Sequence, residues 1–129
     1  MKRMLSVLAV VAFTLLACET TPDVVPEFAD EPYEAGEVTF EYHGEVEDEI
    51  RLAGEMNGWT ETGDDWVMDE VEEDVWSITV WLDPGSYQYK YIIDGEWTEP
   101  GAILEQVRPF PNDESDDGFG GQNAVIELQ

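Results

Sequence analysis

From Glu37 onward, apolar and polar residues alternate in short runs separated by turn chemistry. Val38, Phe40 and Tyr42 alternate with Thr39 and Glu41, and Ile50, Leu52 and Gly54 alternate with Arg51 and Ala53. A period of two marks a half-buried strand. Trp76, Ile78, Val80 and Leu82 share one face of a third run, with Ser77, Thr79 and Trp81 on the other, and Asp83-Pro84-Gly85 follows as a tight turn. Tyr87, Tyr89, Tyr91 and Ile93 then alternate with Gln88, Lys90 and Ile92 before Asp94-Gly95, a dipeptide suited to a two-residue hairpin. Ala124 to Leu128 forms a last strand. Five or more short strands without a helical pattern predict an all-β fold, an antiparallel β-sandwich over residues 37–129 whose core is the inward aromatic and aliphatic set. The chain contains no internal repeat and no sign of a second domain.

The beginning of the chain follows other rules. Lys2-Arg3 precedes an apolar run from Met4 to Leu16, broken only by Ser6 and Thr14, and Ala17-Cys18 closes it. This is the layout of a secretory signal over residues 1–17, shorter than the ~20 apolar residues of a membrane span. Leu15-Leu16-Ala17-Cys18 resembles the lipobox of bacterial lipoproteins, which implies cleavage before Cys18 and acylation of its thiol. A single cysteine cannot form an internal disulfide, and lipidation removes the reactive thiol that an exported chain would otherwise carry. Two or more acyl chains anchor a protein stably. Glu19 is not the aspartate linked to inner-membrane retention, so the expected location is the outer membrane of a Gram-negative bacterium, reached by an exported lipoprotein. Residues 18–36 contain Pro22, Pro26, Pro32 and many acids, without periodicity, and are expected to be an extended tether.

Charge narrows the partners. The chain has 31 Asp and Glu against 5 Lys and Arg, a formal net charge of −26. Such a surface repels nucleic acid and anionic lipid headgroups but not a neutral ligand. A hydrophobic content of 43% makes wholesale disorder untenable in spite of that charge. With so many carboxylates, acid pairs arise at any spacing by chance, so a glycosidase pair is unsupported. No serine sits in a nucleophile elbow, and His43 is expected on the surface. Asp113-Glu114-Ser115-Asp116-Asp117-Gly118 has a faint likeness to a calcium loop, but Ala124 stands where the bidentate Glu belongs and no helices flank it. A solvated acidic turn is expected there, and no catalytic residue, metal or cofactor.

The informative residues are aromatics that a strand pattern does not require. Trp59 follows Met56-Asn57-Gly58 in a turn, and Trp97 stands just past Asp94-Gly95. Each alone reads as a lid on the core. With Lys90, on the face opposite Tyr89 and Tyr91, they form an expected exposed platform with one cationic donor. A pyranose suits it, since its apolar C–H face packs on indole while its hydroxyls bond Lys and Asn.

Leu52-Ala53-Gly54-Glu55-Met56-Asn57-Gly58-Trp59, Met68, Trp76 to Gly85, Tyr87 to Trp97, and the ending Asp117-Gly118-Phe119-Gly120-Gly121-Gln122-Asn123-Ala124-Val125 resemble the glycogen-binding domain of the AMP-activated protein kinase β subunit, the family-48 carbohydrate-binding module, over roughly residues 38 to 129. The resemblance implies an early-set immunoglobulin-like sandwich and non-catalytic binding of an α-glucan such as glycogen or a maltooligosaccharide. Matched residue by residue, it implies stacking by Trp59 and Trp97, hydrogen bonding by Lys90 and Asn123, and apolar support from Phe119. Gly121 stands where the kinase subunit has a threonine that touches sugar. Residues 101–116, with Pro109, Phe110, Pro111 and several acids, are extra, and as a loop they would reshape or cover the site. Trp81, opposite the core residues of its strand, reads either as a sheet-edge contact or as an extension of the sugar platform. An envelope protein-interaction or scaffolding sandwich that no longer binds glucan is the alternative function.

Overall fold

The structure, a computed structural model, describes residues 27–129. The signal segment, Cys18 and the first part of the tether lie outside the described residues. Nine strands follow in chain order: β1 Gly36–His43, β2 Ile50–Gly54, β3 Asp69–Glu72, β4 Val75–Leu82, β5 Gly85–Ile93, β6 Glu96–Trp97, β7 Val107–Arg108, β8 Asp113–Asp116 and β9 Gln122–Leu128. One sheet runs β3-β4-β1-β7 and the other β2-β5-β9-β8, with β6 paired to β5. Every pairing between these strands is antiparallel. The two sheets form an all-β sandwich of the early-set immunoglobulin-like type.

The alternating residues supply the core. Val38, Phe40 and Tyr42 from β1 meet Leu52, Tyr89, Tyr91 and Ile126 from the facing sheet, and Phe40, fully buried, packs edge-on against Tyr89 with ring centroids 5.4 Å apart. That geometry sets the positive ring edge against the negative face of its neighbour. On β5, Tyr87, Tyr89, Tyr91 and Ile93 turn inward, so Gln88, Lys90 and Ile92 belong to the sheet's outer face. Burial pushes the Tyr89 and Tyr91 hydroxyl pKa values well up.

Asp94 and Gly95 make the expected two-residue hairpin. Ile93 pairs with Glu96, and both turn residues have positive φ, 52° and 84°. Asp94 also accepts backbone N–H bonds from Glu47, Asp48 and Glu49, which hold its carboxyl below the usual range and tie the β1–β2 connection to the turn. Asp83 and Pro84 carry the chain from one sheet to the other, between β4 and β5.

Three regions differ from the sequence-based expectation. Residues 101–116 do not lie over the site as a loop: β7 extends the β1 sheet, β8 pairs with β9, and Val107 and Pro111 are buried between. Asp113 to Asp116, the acidic turn with the likeness to a calcium loop, is strand β8. The later part of the expected tether is not free. Tyr33 N–H donates to the Glu127 carbonyl, Ala35 N–H to Gln129 and Ala29 N–H to Pro111, while the Tyr33 hydroxyl donates to the Phe110 carbonyl at 2.7 Å. Tyr33 supplies the apolar anchor that the acids around it lack.

Gly54 ends β2 opposite Tyr89. A Cβ there would stand 2.5 Å from the Gln88 carbonyl oxygen and 2.6 Å from the Tyr89 Cβ. Backbone cannot yield as a side-chain tip can, so Gly54→Ala is expected to cost about 1–3 kcal/mol, read as a lower denaturation midpoint in urea.

Candidate functional site

Immediately after β2, a 3₁₀ turn over Glu55–Asn57 reverses the chain. The Asn57 side chain ties it back to β2, accepting from Gly54 N–H at 3.0 Å and donating to the Leu52 carbonyl at 3.0 Å. Gly58 and Trp59 then both take positive φ, 71° and 61°. A bulky residue in the left-handed region is strained. Here the Trp59 N–H is held to the Gly54 carbonyl at 2.9 Å, and the indole is thrown over the outer face of the β2-β5-β9-β8 sheet.

The second tryptophan arrives by the Asp94-Gly95 hairpin. β6 is only two residues long, and Trp97 pairs with Ile92, leaving its side chain 39% exposed. The Trp59 and Trp97 ring centroids are 6.3 Å apart, with the planes inclined at 41°. Phe119, on the β8–β9 connection, is 94% exposed and completes the aromatic wall. Together these elements enclose an open cavity of about 640 Å³. Lys90 and Asn123 from the sheet face also line it. All five residues singled out from the sequence therefore meet at one place, although they come from four separate stretches of chain.

Lys90 is not the exposed donor of the sequence-based expectation. It is 7% exposed, and its Nζ donates to Glu99 Oε2 at 2.9 Å and to Asp117 Oδ2 at 2.8 Å. Neighbours on both flanking strands cover its stem, because β5 lies between β2 and β9 in the sheet. An ammonium has three hydrogens to give, so one is left for a ligand. Burial pulls the Lys90 pKa down, but hydrogen bonds to Asp117 and Glu99 more than offset this, so it stands above the ordinary value. Asn123 donates its amide to Gln88 Oε1 at 3.0 Å, which fixes its orientation beside Lys90.

The two carboxylates also tie down the arms that carry the aromatics. Asp117 Oδ1 accepts from Phe119 N–H at 2.7 Å and from Gly121 N–H at 3.0 Å. Glu99, two residues beyond Trp97, accepts from Gln122 N–H at 2.8 Å. Lys90 thus joins the Trp97 arm to the Phe119 loop. Gly121 explains itself in the same geometry: a Cβ there would lie 2.6 Å from Glu99 Oε2 and 2.9 Å from Asp117 Oδ2. A threonine at this position requires Glu99 and Asp117 to move apart.

The bond from Lys90, reinforced by the Phe119 and Gly121 amides, pulls the Asp117 pKa down to about 2, and the Lys90 bond likewise lowers Glu99. A carboxylate whose folded pKa lies below its unfolded value of about 3.9 stabilises the fold above that unfolded value. The contribution fades as pH falls through about 2. The expected result is that the Phe119 and Gly121 amide resonances stay constant down to about pH 4, then titrate with a midpoint near 2. A midpoint near an ordinary aspartate would remove the clamp.

Sequence reasoning missed Glu55, Gln88, Glu99, Asp116 and Asp117 as neighbours of the site. Glu55 Oε1 accepts from Gln88 N–H at 2.9 Å, and Asp116 Oδ1 from Gly118 N–H at 2.7 Å. Trp81 is no extension of the platform. It is 72% exposed on β4, beside Glu37 of β1 in the other sheet. His43 lies exposed at the end of β1, 2.8 Å from Glu41. Among the described residues, no group of three or more His, Cys, Asp and Glu is placed to hold a metal ion.

No curated protein matches the chain. A family model described as the glycogen recognition site of AMP-activated protein kinase matches residues 37–106. The match runs from β1 to the residue before β7 and takes in Trp59, Lys90 and Trp97, with Phe119 and Asn123 beyond its end. It covers more than half of the sequence and is laid on a sandwich of the type such modules adopt. The chain belongs to the AMP-activated protein kinase glycogen-recognition family of carbohydrate-binding modules.

Proposed function

We propose that the protein is a non-catalytic α-glucan-binding module, recognising glycogen or maltooligosaccharides, held at the cell envelope by a lipid on Cys18. The observation that carries the glucan reading is the inclined pair Trp59 and Trp97 over an open cavity, with Lys90 and Asn123 on its floor. Two rings at 41° fit the curved face of an α-1,4 chain better than a flat one. Trp59 and Trp97 stack on successive glucose rings, Lys90 and Asn123 bond hydroxyls, and Phe119, at the rim, closes on the next ring. The apolar ring area that Trp97 and Phe119 leave exposed, with what remains uncovered on the half-buried Trp59, is buried when a ligand covers it, which is where the affinity comes from. Retention of the protein on immobilised amylose, reversed by free maltoheptaose, is the test. Flow-through with a native CD spectrum would reject the reading.

The anchor rests on the Lys2-Arg3 start, the apolar run and Leu15-Leu16-Ala17-Cys18. Cys18→Ala is expected to move the protein from the membrane pellet to the soluble fraction of cell extracts. An unchanged distribution would remove the lipid from the account. Outer-membrane placement follows from Glu19 and is read by separating the two membranes on a density gradient.

A further inference from the structure

The floor of the cavity carries one ammonium, and two of its three hydrogens go to the protein's own carboxylates. Lys90 is bonded to both Glu99 and Asp117, so its charge is more than cancelled before a ligand arrives. Two further carboxylates, Glu55 and Asp116, line the same cavity. Each uses one oxygen on a backbone N–H of its own surroundings. The wall above them is made of Trp59, Trp97 and Phe119, whose ring faces are electron-rich. Aromatic faces combined with carboxylates attract a cation and repel an anion, and a half-enclosed site is screened less than open surface.

We infer that the site is charge-selective, with Glu55 and Asp116 as its specificity-determining residues: it takes a glucan bearing an amine in preference to the neutral glucan, and refuses one bearing phosphate or carboxylate. This rests on the glucan reading above and names the substituents the glucan carries. Glu55 acts from the turn that follows β2 and places Trp59, and Asp116 from the end of β8 that leads to Phe119, so the two acids reach the cavity from strands at opposite ends of the order β2-β5-β9-β8.

The test uses the full protein and three forms of β-cyclodextrin, a ring of α-1,4-linked glucose: unmodified, with one 6-amino group, and with one 6-phosphate. Calorimetric titration at about 0.01 M ionic strength should rank them amine, neutral, phosphate, with steps of roughly fivefold. The spread should collapse at about 1 M. Glu55→Gln with Asp116→Asn keeps the oxygens that accept from Gln88 and Gly118 while removing two charges, and should narrow the spread. Asp69→Asn with Glu72→Gln removes two charges from β3 in the other sheet and should leave it wide. Equal affinities for the three rings, or equal narrowing by the two double variants, would overturn local charge selection and leave the glucan reading standing. Binding of none of the rings by the native protein would overturn both.

Discussion

Replacing Trp97 with alanine is expected to weaken binding of a linear maltooligosaccharide by about 2 kcal/mol, roughly thirtyfold in Kd, with the fold unchanged. The size follows from what the side chain does when a sugar covers it. Trp97 is 39% exposed in the free protein, so its indole has apolar area still to bury, and its 6.3 Å approach to Trp59 means one ring cannot take over the work of both. The fold should survive, because Trp97 ends a two-residue strand whose hairpin is set by Asp94 and Gly95 and by the Thr98 hydroxyl donating to the Tyr91 carbonyl at 2.8 Å. Trp59→Ala should act similarly on affinity. It should also relieve backbone strain at a positive φ only slightly, since alanine there is as left-handed as tryptophan. Calorimetric titration with maltoheptaose, alongside thermal unfolding, reads both effects. Unchanged affinity of the Trp97 variant would place stacking elsewhere.

The largest expected loss of stability belongs to Phe40→Ala, at about 3–5 kcal/mol. Phe40 is 0% exposed at the centre of β1 and packs edge-on against Tyr89 of the opposite sheet, so it is a bridge between the layers. Truncation leaves a void that rigid β-strands on both sides cannot close, and it strips Tyr89 of an aromatic partner. Domains of this size are stable by only about 5–15 kcal/mol, so such a loss brings the protein close to unfolding at physiological temperature. Because Tyr89 and Lys90 are consecutive on β5, disorder in the core is transmitted to the site floor. Urea denaturation followed by tryptophan fluorescence measures the change, and a midpoint within experimental error of the native one would show that the sheets are held together elsewhere.

Much of this architecture is legible from alternation alone. β1, β4 and β5 each turn one face to the core and write a period of two into the sequence, whereas β2 is buried at every position, on both faces, and β9 over most of its length. β3 writes no such period, because all four of its residues are exposed at a sheet edge and no apolar face selects its register. β6, β7 and β8 are short or acidic: β6 and β8 are strands because a turn folds them onto β5 and β9, and β7 because it meets β1, far away in the chain. The aromatic site was readable because turn tryptophans and the family resemblance pointed to the same residues. Its carboxylate clamp was not readable. Among 31 acidic residues, nothing local marks Glu99 and Asp117 as the two that meet Lys90. The one available hint was Gly121 in place of threonine, whose physical reason emerges only when the missing Cβ is set against both carboxylates. Trp81 shows the converse limit. Parity correctly puts it opposite the core of its own strand, but parity does not say which sheet that strand joins.

The most direct test of the account follows the five tryptophan indole N–H resonances during titration with maltoheptaose. The account predicts saturable shifts at Trp59 and Trp97, and a Trp81 signal that does not move, since it lies on the other sheet. No saturable shift at either Trp59 or Trp97, or a shift confined to Trp81, would contradict it.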